Sequence, residues 1–283
     1  MGEKFMWSSI SKISLLFVFI FFGCNLTTQP PPPERGNPID PQNPNFQPPR
    51  VEIISGPKEG DVLPNHTVTF KWRGNQADTL MLFSYKLDNE NWSPWSNQKE
   101  VTFTYLDEGK HTFYIKAKYV NNIEGQALEI NFIVDAVKGP AIMFFPRKSE
   151  IDQGYSFDSE IYVEEAINFA GAKIVIEYQQ SVFTLESVEI YKDARSIMLK
   201  NGGTLIDFIN ANTPGKVEIN IAVAGGNPEN VNGTGAIGKI RFRANPGYGG
   251  NYEIKFGNES KLRDANNNDV QIKNLVSKVV VVK

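Results

Sequence analysis

Between Val68 and Ala117 the apolar side chains recur at every second residue. Val68-Thr-Phe70-Lys-Trp72, Val101-Thr-Phe103-Thr-Tyr105 and His111-Thr-Phe113-Tyr-Ile115-Lys-Ala117 all alternate in this way. Successive side chains of a strand point to opposite faces, so this period demands half-buried antiparallel strands. No window of helical period matches these runs in length. Strands of five to seven residues separated by Gly, Asn and Asp clusters predict a β-sandwich. Strand-like runs resume after the Gly139-Pro140 breaker and continue to the last residues, so the whole folded part is expected to be all-β.

The start of the chain reads differently. Lys4 and Lys12 precede an apolar stretch from Ile13 to Gly23, and Cys24, the single cysteine of the chain, follows it. A charged start, a short apolar segment and a small residue describe a secretory signal peptide over residues 1–23. The stretch is too short to span a bilayer as a mature helix, which needs about twenty apolar residues. Phe21-Phe22-Gly23-Cys24 resembles the lipobox of bacterial lipoproteins. The resemblance implies cleavage before Cys24, lipid on its sulfur and anchoring at the cell envelope or surface. Residues 24–50 are proline-rich, with Pro30 to Pro33 unbroken and Pro38, Pro41, Pro44, Pro48 and Pro49 beyond. Proline fixes φ and favours polyproline II, so an extended stalk is expected there.

About 230 residues remain for folded structure, enough for two domains. With Cys24 lipidated, neither domain contains a thiol, so packing alone must hold both cores. A net charge of -3 leaves no basic surplus to neutralise phosphates, which argues against nucleic-acid binding.

Residues 51–137 form the first expected module. Phe70-Lys-Trp72, Phe83-Ser-Tyr85-Lys-Leu-Asp88, Trp92-Ser-Pro-Trp95 and Leu106 to Ala117 resemble the bacterial immunoglobulin-like and fibronectin type III-like modules of surface proteins. The resemblance implies an Ig-like sandwich acting as spacer or interaction platform. Trp72 is in phase with Phe70 and is expected in the core. Trp92 and Trp95, beside Pro94, are candidates for stacking on sugar rings or for capping a sheet edge.

Residues 138–283 form the second module. Its strands run from Ala141 to Phe145, Tyr155 to Val163, and Asn168-Phe-Ala-Gly into a strand ending at Tyr178. Val182-Phe-Thr-Leu-Glu follows, then Val217 to Ala222, a Gly-Thr-Gly opening at Gly233, Gly247 to Phe256, and a last strand from Ser277 to Val282. This order and spacing, over roughly 140 residues, resembles a cohesin domain, a nine-stranded jelly-roll β-sandwich. Gln179-Gln180 departs from the Asp-Pro that the family tends to carry. The resemblance implies a binding adaptor without enzymatic activity, whose partner is a dockerin: a small helical module, here carried by a secreted hydrolase of polysaccharide catabolism. Calcium would then belong to the partner, and no cofactor to this chain. It also implies that the partner lies on a sheet that includes Lys173 to Tyr178. Alternation puts Ile174, Ile176 and Tyr178 inward, leaving Lys173, Val175 and Glu177 outward. The same rule places Glu218 and Asn220, then Asn251, Glu253 and Lys255, on the outer face. Leu205-Ile-Asp-Phe-Ile-Asn210 is apolar on both faces: its outer side meets a partner or the strand bends into the core.

Rival functions have thinner support. The chain has no Gly-x-Ser-x-Gly, no His-Glu-x-x-His and only two histidines, His66 and His111, both read as surface strand residues. The Gly225-Gly226 stretch leads into a strand without Gly-Lys-Ser/Thr and is not a phosphate loop. Asp264 to Asp269 resembles part of a calcium loop, but Leu275 stands where glutamate is required, which favours a plain turn. Direct polysaccharide binding and an envelope protein with a non-dockerin partner remain as alternatives.

Overall fold

The computed structural model describes residues 36–75, 78–227 and 231–283. The signal segment, Cys24 and Pro30 to Pro33 lie outside the described residues.

Residues 36–46 belong to a unit separate from Gln47–Lys283. Here Asx-Pro-x repeats every three residues as Asn37-Pro-Ile, Asp40-Pro-Gln and Asn43-Pro-Asn. The side chains of Asn37, Asp40 and Asn43 accept from the amides of Ile39, Gln42 and Asn45 at 3.2, 2.9 and 2.9 Å. Their carbonyls accept from the amides of Asp40, Asn43 and Phe46 at 3.1, 2.8 and 2.9 Å. An Asx side chain bonds two residues on, and proline sets the φ of the next turn position. This part of the linker is therefore a run of turns, not the extended polyproline stalk expected from its composition.

The rest contains two β-sandwiches. In the first, β1 (Val51–Ser55), β3 (Val68–Gly74) and β5 (Glu100–Phe103) form one sheet. Strands β2 (Val62–Leu63), β7 (Leu128–Val134), β6 (Gly109–Tyr119) and β4 (Met81–Leu87) form the other. Alternation fixes the core: Val68, Phe70 and Trp72 of β3 and Phe113, Ile115 and Ala117 of β6 are buried. Phe70 stacks on Phe113 across the sheets with centroids 3.9 Å apart. Fully burying such a side chain contributes roughly 1.5–3 kcal/mol. His111 follows the same phase and is 8% exposed, so it is an interior residue and not the surface one expected.

The second sandwich contains β8 (Ala141–Phe145), β9 (Lys148–Ile151), β10 (Ser156–Ala166), β11 (Gly171–Glu177), β12 (Phe183–Ile190), β13 (Thr204–Asn210) and β14 (Lys216–Ala224). It continues with β15 (Gly233–Ala244), β16 (Gly250–Phe256), β17 (Lys261–Arg263), β18 (Asp269–Val270), β19 (Asn274–Val276) and β20 (Lys278–Val282). Nine of these strands have five residues or more, and the four shorter ones extend the sheets beyond the nine expected. One sheet has the order β12-β15-β10-β8-β19, the other β13-β14-β11-β16-β20-β9 with β17 and β18 attached beside β11. Phe144 of the first sheet stacks on Phe256 of the second at 4.2 Å. The connection after β7 passes Gly139, where a Cβ would lie 2.1 Å from the Glu164 carbonyl oxygen, so only glycine fits this approach.

Candidate functional site

The outer face of the sheet β13-β14-β11 carries the largest exposed apolar side chains of its surroundings. Ile206 and Phe208, on the edge strand β13, are 64% and 65% exposed, while Leu205 between the sheets is buried. Strand β13 therefore stays in the sheet and turns an apolar side outward. Register extends this side into two rows. Ile206 pairs with Ala222, Ala222 with Gly171 and Gly171 with Arg263; Phe208 pairs with Asn220, Asn220 with Lys173 and Lys173 with Lys261. The result is a shallow depression with an apolar wall at Ile206 and Phe208, a small-residue floor at Gly171 and Ala222, and a cationic wall at Lys173, Lys261 and Arg263.

Ion pairs hold the polar side chains in place. Lys173 Nζ lies 3.1 Å from Glu218, and Arg263 and Lys261 lie 2.8 and 3.4 Å from Asp269. Asn220 donates to Glu218 at 3.0 Å. The Asn220 bond, followed by that from Lys173, holds the Glu218 carboxyl below the usual glutamate range. Exposed pairs of this kind add little stability and mainly fix geometry.

The expected outward residues divide into two groups. Lys173 and Asn220 line the depression, and Glu218 stands beside it, bonded to both. Glu177, Asn251, Glu253 and Lys255 are exposed on the β11 end and on β16, where Glu177 pairs in register with Lys255. Val175 separates the groups and corrects the expectation: it is fully buried. The turn Gly257–Ser260 folds over it, with the Val175 amide donating to Ser260 Oγ at 3.0 Å and the Gly257 amide donating to the Val175 carbonyl at 2.8 Å. A Cβ on Gly257 would stand 2.8 Å from Val175 Cγ1, so glycine is required for this cover. A second outward residue of β11 is thus core, and no partner can touch it. Sequence reasoning did not single out Lys261 and Arg263, which belong to a three-residue strand with no alternation to read.

Trp92 and Trp95 occupy the outer side of the first sandwich. Ser93 and Ser96 hydrogen-bond along the β4 edge at Tyr85 and Phe83, and the buried Ser84 between them donates to the Ser93 carbonyl at 2.7 Å, which fixes the segment that carries both indoles. An alternating string results. Lys86 Nζ lies 4.6 Å from the Tyr114 centroid and 5.7 Å from that of Trp92; Lys116 lies 4.9 Å from Trp92 and 5.0 Å from Trp95; Lys118 lies 4.8 Å from Trp95. Each indole has two ammonium groups against its ring. This arrangement favours a packed cation–π ladder over a free platform for a sugar ring. Asp264 closes its own turn, accepting from the amides of Asn266 and Asn268, as the plain-turn reading requires. Among the described residues there is no cluster of three or more His, Cys, Asp or Glu side chains suited to a metal.

The fold and this face define an all-β chain with an exposed sheet surface that joins apolar and cationic side chains. No protein-family model matches the chain, and no curated protein matches it. Solved structures that resemble it are cohesin domains. A non-cellulosomal cohesin from the archaeon Archaeoglobus fulgidus shares 15% identity over 50% of this chain and 90% of its own, with a TM-score of 0.40. CaCohA2 from Clostridium acetobutylicum shares 16% over 50% and 90%, with a TM-score of 0.42. A type I cohesin–dockerin complex from Clostridium thermocellum contains a chain with 15% identity, 50% and 98% coverage and a TM-score of 0.41.

Proposed function

We propose that the second sandwich is a protein-binding module that receives a dockerin-type helical partner on the outer face of β13-β14-β11. The observation that carries this reading is the pair Ile206 and Phe208, exposed side by side on a sheet edge and faced by the cationic row Lys173, Lys261 and Arg263. Apolar anchors beside fixed charges supply affinity and register together. The sequence resemblance to cohesins supports the identity of the partner as a dockerin on a secreted hydrolase. With the signal segment and Cys24, the chain would be a lipid-anchored adaptor at the bacterial surface.

The test is calorimetric titration of the full chain with dockerins from its own source, in calcium and then in chelator. Calcium-dependent binding is expected. Phe208→Asp weakens it by about ten- to a hundredfold, a loss of 1.4–2.8 kcal/mol. Tyr155→Ser, also exposed but outside this face, leaves it unchanged. Binding that survives Phe208→Asp, or no binding to any dockerin, refutes the assignment. Anchoring is tested separately, because Cys24→Ser should release the protein from the membrane fraction.

A further inference from the structure

The loop between β5 and β6 joins the two sandwiches through a group of charged side chains that the proposed binding face does not use. Asp107 Oδ1 accepts from the backbone amide of Arg147, in the second sandwich, at 2.6 Å. The same residue's carbonyl lies 2.9 Å from His111 Nε2, and His111 Nδ1 lies 2.7 Å from Asp88 Oδ2. Both ring nitrogens thus face acceptors that have no proton to give. Only the doubly protonated imidazolium satisfies both, and the ring is buried against Phe132 with little access to water.

We propose that His111 is a proton-operated latch for the junction between the sandwiches. As an imidazolium it ties the Asp107 carbonyl to Asp88 and so holds the Asp107 carboxylate in position for Arg147. When it loses a proton, one bond must go. The charge-assisted bond to Asp88 is the stronger, so the Asp107 carbonyl is the one released. The loop then loosens, and with it the contact to Arg147. The junction does not separate, because the linker stays pinned at both ends: Glu108 accepts from the amides of Ala136 and Val137 at 2.9 and 3.2 Å, and Glu165 of the second sandwich accepts from the Gly139 amide at 2.8 Å.

The charged surroundings are mixed. Asp88 approaches from the end of β4, Tyr105, Asp107 and Glu108 from the loop, Arg147 from the β8–β9 connection and Lys278 from β20. His66, from the β2–β3 connection, faces Arg147, and burial followed by the Arg147 charge lowers its pKa, which sets it apart from His111. Glu90, Lys148 and Glu150 line the same cleft. Burial by itself would lower the His111 pKa; the bonds to Asp88 and the Asp107 carbonyl outweigh it and raise the value above that of a free histidine. Burial lowers Lys278 to about 7, against the pull of Asp107. Lys278 is bonded within the second sandwich, to the Pro146 carbonyl, and its charge attracts Asp107 across the junction, so Lys278→Met is needed to separate its contribution from that of His111.

The experiment uses the full chain with Cys24→Ser and nitroxide labels at Asn97→Cys and Asn258→Cys, one exposed position in each sandwich. Label distances are measured by pulsed dipolar spectroscopy from about pH 5.5 to 9, and imidazole nitrogen shifts by NMR. Two protonated nitrogens on His111 near neutrality and a narrow distribution that broadens as pH rises are expected. Asp88→Asn should move the midpoint down by about one pH unit. His111→Gln should give the broad distribution throughout; if it does not fold, Asp88→Asn decides alone. A neutral His111 below pH 7, a width independent of pH, or a broadening that persists in His111→Gln but vanishes in Lys278→Met overturns the proposal.

Discussion

Lys278 offers a prediction whose size can be worked from the structure. Its side chain is fully buried in β20, its ammonium donates to the Pro146 carbonyl at 2.5 Å, and among the described residues no carboxylate pairs with it directly. Burial brings its pKa from the ordinary 10.5 to about 7, with the Asp107 charge opposing. At 1.36 kcal/mol per pKa unit, keeping this lysine charged inside the fold costs about 5 kcal/mol. The folded state releases its proton near pH 7 and the unfolded state near 10.5. Between these values the unfolded chain binds more protons, so stability rises with pH; below pH 7 the full cost is present. Lys278→Met keeps the stem and removes the charge, forfeiting one hydrogen bond worth about 1 kcal/mol and leaving the Pro146 carbonyl without it for another 1 or so. The variant should be more stable than the parent by about 3 kcal/mol at pH 6, and less stable by roughly 1–2 kcal/mol at pH 10.5. Urea unfolding of the second sandwich at both pH values reads this difference. A variant equally or less stable at pH 6, or a difference that ignores pH, would refute the reasoning.

Three further outcomes follow from the same coordinates. Val175→Asp places an unpaired carboxylate beneath the Gly257–Ser260 turn and should destabilise the second sandwich by about 3–5 kcal/mol in a denaturant melt, so any loss of binding it causes reports unfolding rather than contact. Trp95→Ala breaks two cation–π contacts and should cost the first sandwich about 1–2 kcal/mol, while affinity electrophoresis on polysaccharide gels shows the same mobility before and after the change. Replacing Asn37, Asp40 and Asn43 together by Ala removes the side-chain bonds of the turn run, and energy transfer between dyes flanking residues 36–46 should report a longer mean distance.

How much of this was legible in the sequence depended on how far away the deciding residue lay. Phe70, Trp72, Phe113 and Ile115 alternate within their own strands, and local period was enough to place them in the core. The same holds for the outward Asn251, Glu253 and Lys255 on β16, whose partners Ile254 and Phe256 are buried. Val175 failed because its cover comes from Ser260, 85 residues on, and a strand's own period says nothing about what folds over it. Strand β13 was ambiguous for a different reason. Apolar residues on both sides fit an interior strand and a docking edge alike, and only its place at the sheet margin decides. Residues 37–45 were read by composition, when the three-residue recurrence of Asx before proline already carried the turn chemistry.

Lys278 and His111 show why charged residues are the hardest to place by pattern. A lysine in Ser-Lys-Val-Val-Val-Val and a histidine opening an alternating strand both invite an outward reading, yet each is interior and bonded within its own sandwich: His111 to Asp88 and the Asp107 carbonyl against Phe132, Lys278 to the Pro146 carbonyl beside Phe157. Their effects on stability have opposite signs. His111, with its pKa raised, contributes stability that is complete below about pH 6.5 and is lost as pH climbs through the raised value. Lys278, with its pKa lowered, is a burden below about pH 7 that disappears as pH climbs toward 10.5. The two contributions oppose each other wherever both groups titrate, so total stability mixes them. A thermal melt therefore does not isolate the change at the junction. Only a probe that spans both sandwiches can detect it.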